Sequence, residues 1–416
     1  MNKKMLIILG IILIILIVII SYKLMSKPKE TPNKPTPKPN IDINLSDIDI
    51  NFLKLENKKD NIIYSPLSIK YALSMLKEGA EGNTLTEIEN ALGNQTLPVY
   101  QNIDKVLSLA NGLFIRDTFK DKIKSEYINT LNNNYQAEVK YDKFKNANNV
   151  NNWIEDKTFK IIKDVITDKM VKNEDLKLLL INALAIDMKW LEQFDESDTR
   201  PDSFITEDNN NLEVTMMHLS TENPNIKYYN TNEFKIVSLP LRKYENTNLE
   251  FIAIMPNTKL SDYISNLTTD SLNETLSNLQ ALNDKQKLNL NIPKFAYNYS
   301  LDFMNDLNSL GIKEVFTTDA NLDKIATEKL YVSEAIHKAD IKFSEEGIKA
   351  AAVTVFGMET SGMIREEKEI INIKYDKPFI YLIKDSDNDT IWFVGSVYKP
   401  NLWENDKKEY TPDYGY

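Results

Sequence analysis

The sequence predicts an α+β fold with large mixed and antiparallel β-sheets surrounded by helices. Segments of strand length that are fully apolar or alternate apolar and polar residues recur along the chain. Other segments place apolar residues three and four positions apart, as amphipathic helices do. The chain has 416 residues and no internal repeat, which is enough for one large domain or two ordinary ones.

The first 22 residues predict a membrane anchor or an uncleaved signal. Met5–Ile20 carries no charge, and lysines flank it on both sides. Such a segment is short for a span but sufficient if the lysines reach the interface. Ser21-Tyr22-Lys23 offers no small-residue cleavage site, which favours an uncleaved anchor.

Residues 23–40 predict an extended stalk. Lys27–Asn40 has five prolines in fourteen residues, a composition that favours polyproline II and cannot bury a core. The lysines of this stalk would keep the following domain in the cytoplasm by the positive-inside count. We place it outside the cell instead, because a stalk is useful mainly there, so that the protein is a single-pass membrane protein.

The folded domain is expected over residues 41–400, with a polar tail at 401–416. In its first helix Ser65 is the expected N-cap, Pro66 lies in the first turn, and the helix ends at Gly79. Further strands are predicted at Leu109–Ile115, Leu178–Met188, Val214–His218, Phe251–Pro256 and Leu288–Phe295. Further helices are predicted at Asn152–Ile166 and from Ser300 to a stop at Gly311.

The stretch Ser344–Arg365 is ambivalent between helix, strand and loop. It opens with two carboxylates and Gly347, continues with a small-residue run that includes three alanines, and then turns β-preferring at Val353–Phe356. A polar tip follows, and Ile370–Ile373 returns as a strand. A segment that changes state would need such ambivalence.

Taken together, these segments resemble the serpin family, and we expect a prokaryotic-type, membrane-anchored member. The resemblance runs from Asn61 to Pro400. It rests on Asn61–Ile88 (NIIYSPLSIKYALSMLKEGAEGNTLTEI), on Glu345-Glu346-Gly347 with its small-residue run, on Tyr375–Ile380, and on Phe393-Val394-Gly395. The pattern departs at Asp187-Met188, where the family usually has Lys-Gly, and this puts the local turn geometry in question.

The resemblance implies a serpin fold with an exposed reactive loop and three groups of functional residues. The hinge residues would be Glu345, Glu346, Gly347, Ile348, Ala350, Ala351 and Ala352. The shutter region beneath the opening sheet would be Ser65, Ser68, Asn182 and His337, with the histidine meeting the serines and the asparagine. The breach region would contain Trp190.

The resemblance also implies a serine protease inhibitor that works as a suicide substrate. The cleaved loop would insert into the central sheet as an extra strand and carry the trapped protease with it. Its inward face would carry Ile348, Ala350, Ala352 and Thr354, while Lys349 falls on the other face. Because the inward face carries no charge, we read the protein as inhibitory. The alternative is a non-inhibitory member that acts as a surface binding or carrier module.

Counting fourteen residues from Gly347, as in inhibitory relatives, puts the reactive bond at Ser361-Gly362. A small residue there suits elastase-like or subtilisin-like serine proteases, and a cysteine protease is a second possible partner. Met358, Thr360, Met363 and Arg365 lie close enough to compete, and Arg365 would invite a trypsin-like enzyme.

Composition argues against other functions. There is no cysteine, only two histidines, and no G-x-S-x-G, HExxH or phosphate-binding glycine motif, so we expect no enzyme, no metal and no cofactor. A membrane-anchored hydrolase on an unrelated fold is the remaining enzyme alternative. The net charge of −11 argues against nucleic-acid binding. We expect a monomer.

Overall fold

The most apolar segments of the sequence form central strands. In the computed structural model, which describes residues 48–93, 97–245, 247–348 and 368–400, all eight residues of Leu249–Pro256 are buried. Their neighbour Phe379–Asp385 is buried at all but one position. Because such strands have both faces covered, they read as continuous apolar runs rather than as alternating ones.

Helices surround these strands, and the bounds of both kinds of element are as follows. The helices are α1 (Ile48–Leu55), α2 (Pro66–Lys77), α3 (Gly82–Leu92), α4 (Ser125–Tyr135), α5 (Asn148–Lys157), α6 (Asp168–Lys172), α7 (Leu260–Asn266), α8 (Thr269–Ser277) and α9 (Phe303–Ser309). The strands are β1 (Ile62–Tyr64), β2 (Leu107–Arg116), β3 (Glu138–Asp142), β4 (Leu178–Ile186), β5 (Met188–Lys189), β6 (Arg200–Ile205), β7 (Asn211–Thr221), β8 (Lys227–Asn230), β9 (Phe234–Pro240), β10 (Leu249–Pro256), β11 (Gln280–Ala281), β12 (Gln286–Pro293), β13 (Phe295–Ser300), β14 (Lys338–Phe343), β15 (Gly347–Ile348), β16 (Glu369–Lys374), β17 (Phe379–Asp385) and β18 (Ile391–Val397).

The strands form mostly antiparallel sheets, as the sequence predicts. One seven-stranded sheet has the order β1-β18-β17-β10-β9-β8-β11, and a four-stranded sheet has the order β16-β12-β7-β6. A second four-stranded sheet is β13-β14-β15-β5, and a three-stranded sheet is β3-β2-β4. Only β2 with β3 and β12 with β16 pair in parallel among the named strands.

The last two sheets continue into one another through β4 and β5, which are separated only by Asp187. The amide of Asp187 donates to the carbonyl of Val106, so the alignment with β2 carries on beyond the end of β4. Within the described residues β14 pairs with β13 and β15, β4 pairs with β2, and no pairing joins β4 to β14. The combined sheet is therefore parted between these two strands, below β15.

Four sequence predictions need correction. The strand predicted as Leu288–Phe295 ends at Pro293, and Phe295 begins β13 of another sheet. The strand predicted as Leu178–Met188 is interrupted at Asp187. The helix predicted from Ser300 begins only at Phe303, since Ser300 ends β13, although the chain does turn at Gly311, where φ is +90°.

The fourth correction concerns the helix predicted as Asn152–Ile166. It begins earlier, at Asn148, and ends at Lys157, because Phe159 and Lys160 have left-handed backbone angles (φ 53° and 65°). Apolar residues beyond that point do pack, but as an irregular chain that contacts β4 and α5.

No helix among the described residues is long and apolar enough to cross a membrane. The predicted anchor, the stalk and the polar tail at 401–416 lie outside those residues.

Candidate functional site

The start of the predicted hinge is already part of a sheet. Gly347 pairs with Lys189 and Ile348 with Met188, while on the other side Ile348 pairs with Phe343. Ile348 is buried in the main hydrophobic core. These two hinge residues occupy a strand position between β14 and β5.

Gly347 is required by close packing. A Cβ at this position would lie 2.1 Å from the carbonyl oxygen of Met188 and 2.7 Å from the Cα of Lys189. Both are backbone atoms, so a side chain cannot be accommodated by a rotamer change. Only glycine therefore fits against β5 at this position.

Glu345 holds the hinge through a buried ion pair. Its side chain is 6% exposed, and Oε2 lies 3.2 Å from Nζ of Lys294. The hydroxyl of Thr199 donates to Oε1 at 3.0 Å, and the backbone amide of Phe194 donates to the Glu345 carbonyl at 3.0 Å. A buried carboxylate needs such partners because it has lost its water. Glu345 is thus a structural anchor at the base of the loop.

Trp190 fixes the same turn from the other side. Its indole Nε1 donates to the carbonyl of Ser344 at 2.8 Å, and its backbone amide donates to the carbonyl of Glu346 at 3.0 Å. The ring is 1% exposed and packs edge-on against Phe343 with centroids 5.1 Å apart. The residue predicted for the breach region therefore contacts the hinge directly.

His337 lies with Ser65 at the lower part of the parted sheet. Its Nε2 accepts a hydrogen bond from the backbone amide of Ser65 at 3.0 Å, so the proton of the neutral ring is on Nδ1. The hydroxyl of Ser65 donates to the carbonyl of Trp392 and accepts from the amide of Ser68, which caps α2. Burial lowers the pKa of His337 to about 4, because the charged ring would lose its hydration.

Asn182 makes a different contact from the one expected. Its Nδ2 donates to Oδ1 of Asn111 at 2.8 Å, across the paired strands β2 and β4, and Asn111 in turn donates to the carbonyl of Tyr135. Its Oδ1 is buried and has no hydrogen-bond partner. The predicted shutter residues are therefore divided, with the serines and His337 in one cluster and Asn182 in an amide pair beside it.

Two cavities lie along the parting of the sheet. The upper cavity, of about 350 Å³, lies next to Ile348 and is lined by Leu184 and Ile186 of β4 and by Ile341 of β14. The lower cavity, of about 150 Å³, is lined by the first half of β4, by 330–338 and by α2 and α9, and it includes Asn182 and His337. The two cavities follow the line that a continuation of β15 would take.

Both sides of the undescribed stretch 349–367 are attached near one strand. Lys294, which pairs with Glu345, directly follows β12. Beyond the stretch, β16 pairs in parallel along the whole of β12, from Gln286–Glu369 to Asn291–Lys374. The remaining predicted residues lie within that stretch and outside the described residues: Ala350, Ala351, Ala352, Ser361, Gly362 and the competing Met358, Thr360, Met363 and Arg365.

Sequence reasoning missed Lys294, Thr199 and Asn111. Lys294 follows the Asn-Ile-Pro end of a strand, where an isolated lysine reads as solvent-facing. Asn111 stands inside a mostly apolar, buried strand, and this polar residue is a signal that could have indicated a buried polar contact.

The comparisons with known proteins agree with this architecture. A family model described as "Serpin (serine protease inhibitor)" matches residues 50–400. A serine protease inhibitor of Cyanea capillata is 31% identical over 366 residues, which cover 82% of this chain and 92% of the relative.

Solved structures show the same fold. Tengpin, a thermophilic serpin in its native state, superposes with a TM-score of 0.71 and 26% identity, covering 88% of this chain and 96% of tengpin. Human thyroxine-binding globulin superposes with a TM-score of 0.68 and 23% identity, covering 86% of this chain and 98% of that protein. The second likeness concerns the fold alone.

Proposed function

Because this chain belongs to the serpin family, we propose that it inhibits serine proteases by trapping them and is not itself an enzyme. The observation that carries this proposal is the position of Gly347-Ile348, which already form a strand between β14 and β5 above the upper cavity. A cleaved chain beyond Ile348 has a place to enter and a register to follow. Members of this family are protease inhibitors in general, and the inhibitory mechanism is the part that needs a test.

The trapping reaction uses the protease's own chemistry. The hydroxyl of the protease serine attacks the carbonyl carbon of Ser361, an ester forms, and the Ser361–Gly362 amide bond breaks as Gly362 leaves with a proton on its new amine. The chain from Ile348 to Ser361 then enters the parted sheet and moves the ester-linked protease away from where it bound. Deacylation by water is prevented if this movement distorts the protease before hydrolysis.

Insertion is favoured by the chemistry of the inward face. If the inserted chain continues the register of Ile348 with Met188 and Phe343, Ala350 would lie between Ile186 and Ile341. Two residues further, Ala352 would lie between Leu184 and Ala339. All four neighbours are buried apolar residues, and new ladder hydrogen bonds form on both sides.

The first experiment distinguishes an inhibitor from a non-inhibitory binding module. The binding module is the alternative that the name of thyroxine-binding globulin suggests. The purified protein is incubated with elastase, subtilisin, trypsin and a papain-like cysteine protease. An SDS-stable complex with at least one protease, together with a higher melting temperature after loop cleavage, is expected. Cleavage without a complex and without a change in melting temperature would assign the protein to the binding modules.

Mass spectrometry of the trapped complexes locates the bond. We propose Ser361-Gly362 and an elastase-like or subtilisin-like partner. Complexes with trypsin that map after Arg365, with elastase only degrading the loop, would overturn this assignment. Cleavage after Met358, Thr360 or Met363 would shift the bond within the same loop.

We also propose that Met5–Ile20 anchors the protein in the cell membrane as a single span, with the stalk and the inhibitory domain outside the cell. The support is the uncharged segment followed by the proline-rich stalk. Protease treatment of intact cells should release the domain, whereas protection until lysis would show that the orientation is wrong. A monomer that needs no cofactor and binds no nucleic acid completes the proposal.

A further inference from the structure

The inner side of the upper cavity is apolar. The cavity has a volume of about 350 Å³, at the lower end of the usual range for small-molecule sites. Its inner lining includes Leu184 and Ile186 of β4, Ile341 of β14, Ile63 of β1 and Phe393 of β18. All five side chains belong to the main hydrophobic core. This side of the cavity therefore suits an apolar group.

The opposite side of the cavity carries charged side chains of β14. Lys338, Asp340 and Lys342 alternate along this strand with Ala339 and Ile341, which are buried in the main core. Successive side chains of a strand point to opposite faces, so the three charged residues lie on the face turned away from the core. All three line the cavity. The cavity thus has an apolar side and a charged side.

A short segment between α5 and α6 covers the charged face. Residues 160–163 line the cavity, and Nζ of Lys338 donates to the carbonyl of Lys163 at 2.8 Å. Lys160 and Lys163 each form an ion pair with a carboxylate of α5. The partner of Lys338 in its contact with this segment is instead a neutral carbonyl. Lys338 therefore keeps a positive charge that an anion can approach.

The charges at the cavity select the head group of a ligand. Four lysines and one aspartate line it, so its field favours an anion. Asp340 lies between Lys338 and Lys342 on the same face, and it would repel the second negative charge of a phosphate monoester. A single carboxylate is the head group that fits this arrangement.

The volume of the cavity sets the length of the apolar part. An apolar cavity of about 150 Å³ admits benzene in another protein. The upper cavity has more than twice that volume, which corresponds to a chain of roughly eight to twelve carbon atoms.

We propose that the upper cavity binds a medium-chain fatty acid, with the alkyl chain against Leu184, Ile341 and Phe393 and the carboxylate accepting a hydrogen bond from Nζ of Lys338. Burial of the chain supplies most of the affinity, and the charge-assisted hydrogen bond fixes the orientation. This inference goes beyond the trapping function. The site belongs to the intact protein, so it is tested without a protease and stands or falls independently of trapping.

The first experiment is a calorimetric titration of the intact protein with decanoate, below the concentration at which decanoate forms micelles. We expect saturable binding of one molecule per chain. Octanoate, which is shorter by two methylenes, should bind roughly tenfold more weakly, and 1-decanol, which lacks the charge, should bind severalfold more weakly. Absence of decanoate binding would overturn the proposal, and so would equal binding of decanoate and 1-decanol.

Variants of Lys338 test the position of the carboxylate. Lys338→Met should weaken decanoate binding roughly tenfold and leave 1-decanol binding unchanged, whereas Lys338→Arg should retain most of the affinity for decanoate. Lys329→Met is the matched control, because Lys329 is exposed and does not line the cavity. Melting temperatures verify that each variant is folded. If both methionine variants weaken decanoate binding equally, the effect comes from net charge and the assignment of Lys338 is wrong.

Two alanines of β4 test the position of the alkyl chain. Ala185 lines the upper cavity and Ala183 lines the lower one, and both are 3% exposed. They lie two residues apart, on the same face of the strand. Ala185→Leu reduces the space in the upper cavity and should weaken binding of decanoate and 1-decanol alike, while Ala183→Leu should weaken neither. The reverse result would place the ligand in the lower cavity and overturn the proposal.

Discussion

At Gly347 the chain passes so close to β5 that a Cβ would lie 2.1 Å from the carbonyl oxygen of Met188. No rearrangement of side chains relieves this contact, since the atoms on the opposing strand belong to the backbone. Only glycine therefore fits at position 347, where the chain enters the sheet beside β5.

Gly347→Ala should displace β15 from its place between β14 and β5. We expect a lower melting temperature of the intact protein and a marked rise in the fraction of inhibitor cleaved without trapping. Gly311→Ala serves as control, because Gly311 also has positive φ (+90°) but nothing within 4 Å of a Cβ. If both variants behave alike, backbone strain rather than close packing explains the effect.

Ala350→Arg should block insertion while leaving the intact fold stable. In the proposed inserted form this side chain would lie between Ile186 and Ile341, where an unpaired charge would cost several kcal/mol. Ala351→Arg, on the outward face, is the matched control. Loss of the SDS-stable complex in the first variant and its retention in the second is the expected result. Equal behaviour would mean that the register does not continue beyond Ile348.

His337 should make stability depend on pH. Its pKa in the folded protein, about 4, lies below the ordinary value of 6.5, so the unfolded chain takes up the proton first as the pH falls. Stability is then greatest above pH 6.5 and decreases toward pH 4, by up to about 3 kcal/mol from this group. His337→Gln keeps an acceptor for the Ser65 amide and should reduce the difference between unfolding free energies at neutral and mildly acidic pH. If this difference is unchanged in the variant, the pH dependence of stability comes from other groups.

Lys294→Met should weaken the base of the loop, since it leaves Glu345 without its cation in a buried position. We expect a loss of roughly 2 kcal/mol in the intact form, measured by denaturant unfolding. Adding Glu345→Gln should recover part of it, because the uncompensated charge is then removed. A double variant that is less stable than either single one would contradict this account.

Much of the fold could be predicted from the sequence because its core strands are long and apolar. The apolar run around Phe251 predicts a buried strand, and the N-cap at Ser65 predicts the start of a helix; the structure has both. The helix predicted to Ile166 failed, because its apolar residues repeat at helical spacing while Phe159 and Lys160 take left-handed angles that the pattern does not reveal.

The candidate site was predictable only in part. Residue types such as Trp190 and His337 could be assigned from the resemblance, but their partners depend on backbone positions that no local pattern encodes. The carbonyl of Ser344 and the amide of Ser65 are examples. Asn182 shows the limit most clearly, since its partner Asn111 comes from a strand 71 residues away in the sequence.

Both sides of 349–367 are attached near β12, and this has a mechanical consequence. Twenty peptide steps join Ile348 to Lys368, so the fully extended length of this segment is roughly 70 Å. Because both ends are held, its midpoint can lie at most about 35 Å from them, which is half of that length. If the bond after Ser361 is cut, as we propose, the thirteen residues that follow Ile348 could reach roughly 43 Å as a strand. In the proposed mechanism the intact peptide bond therefore limits how far the chain can extend, and its cleavage lengthens that reach without any change in the sheet that would receive the chain.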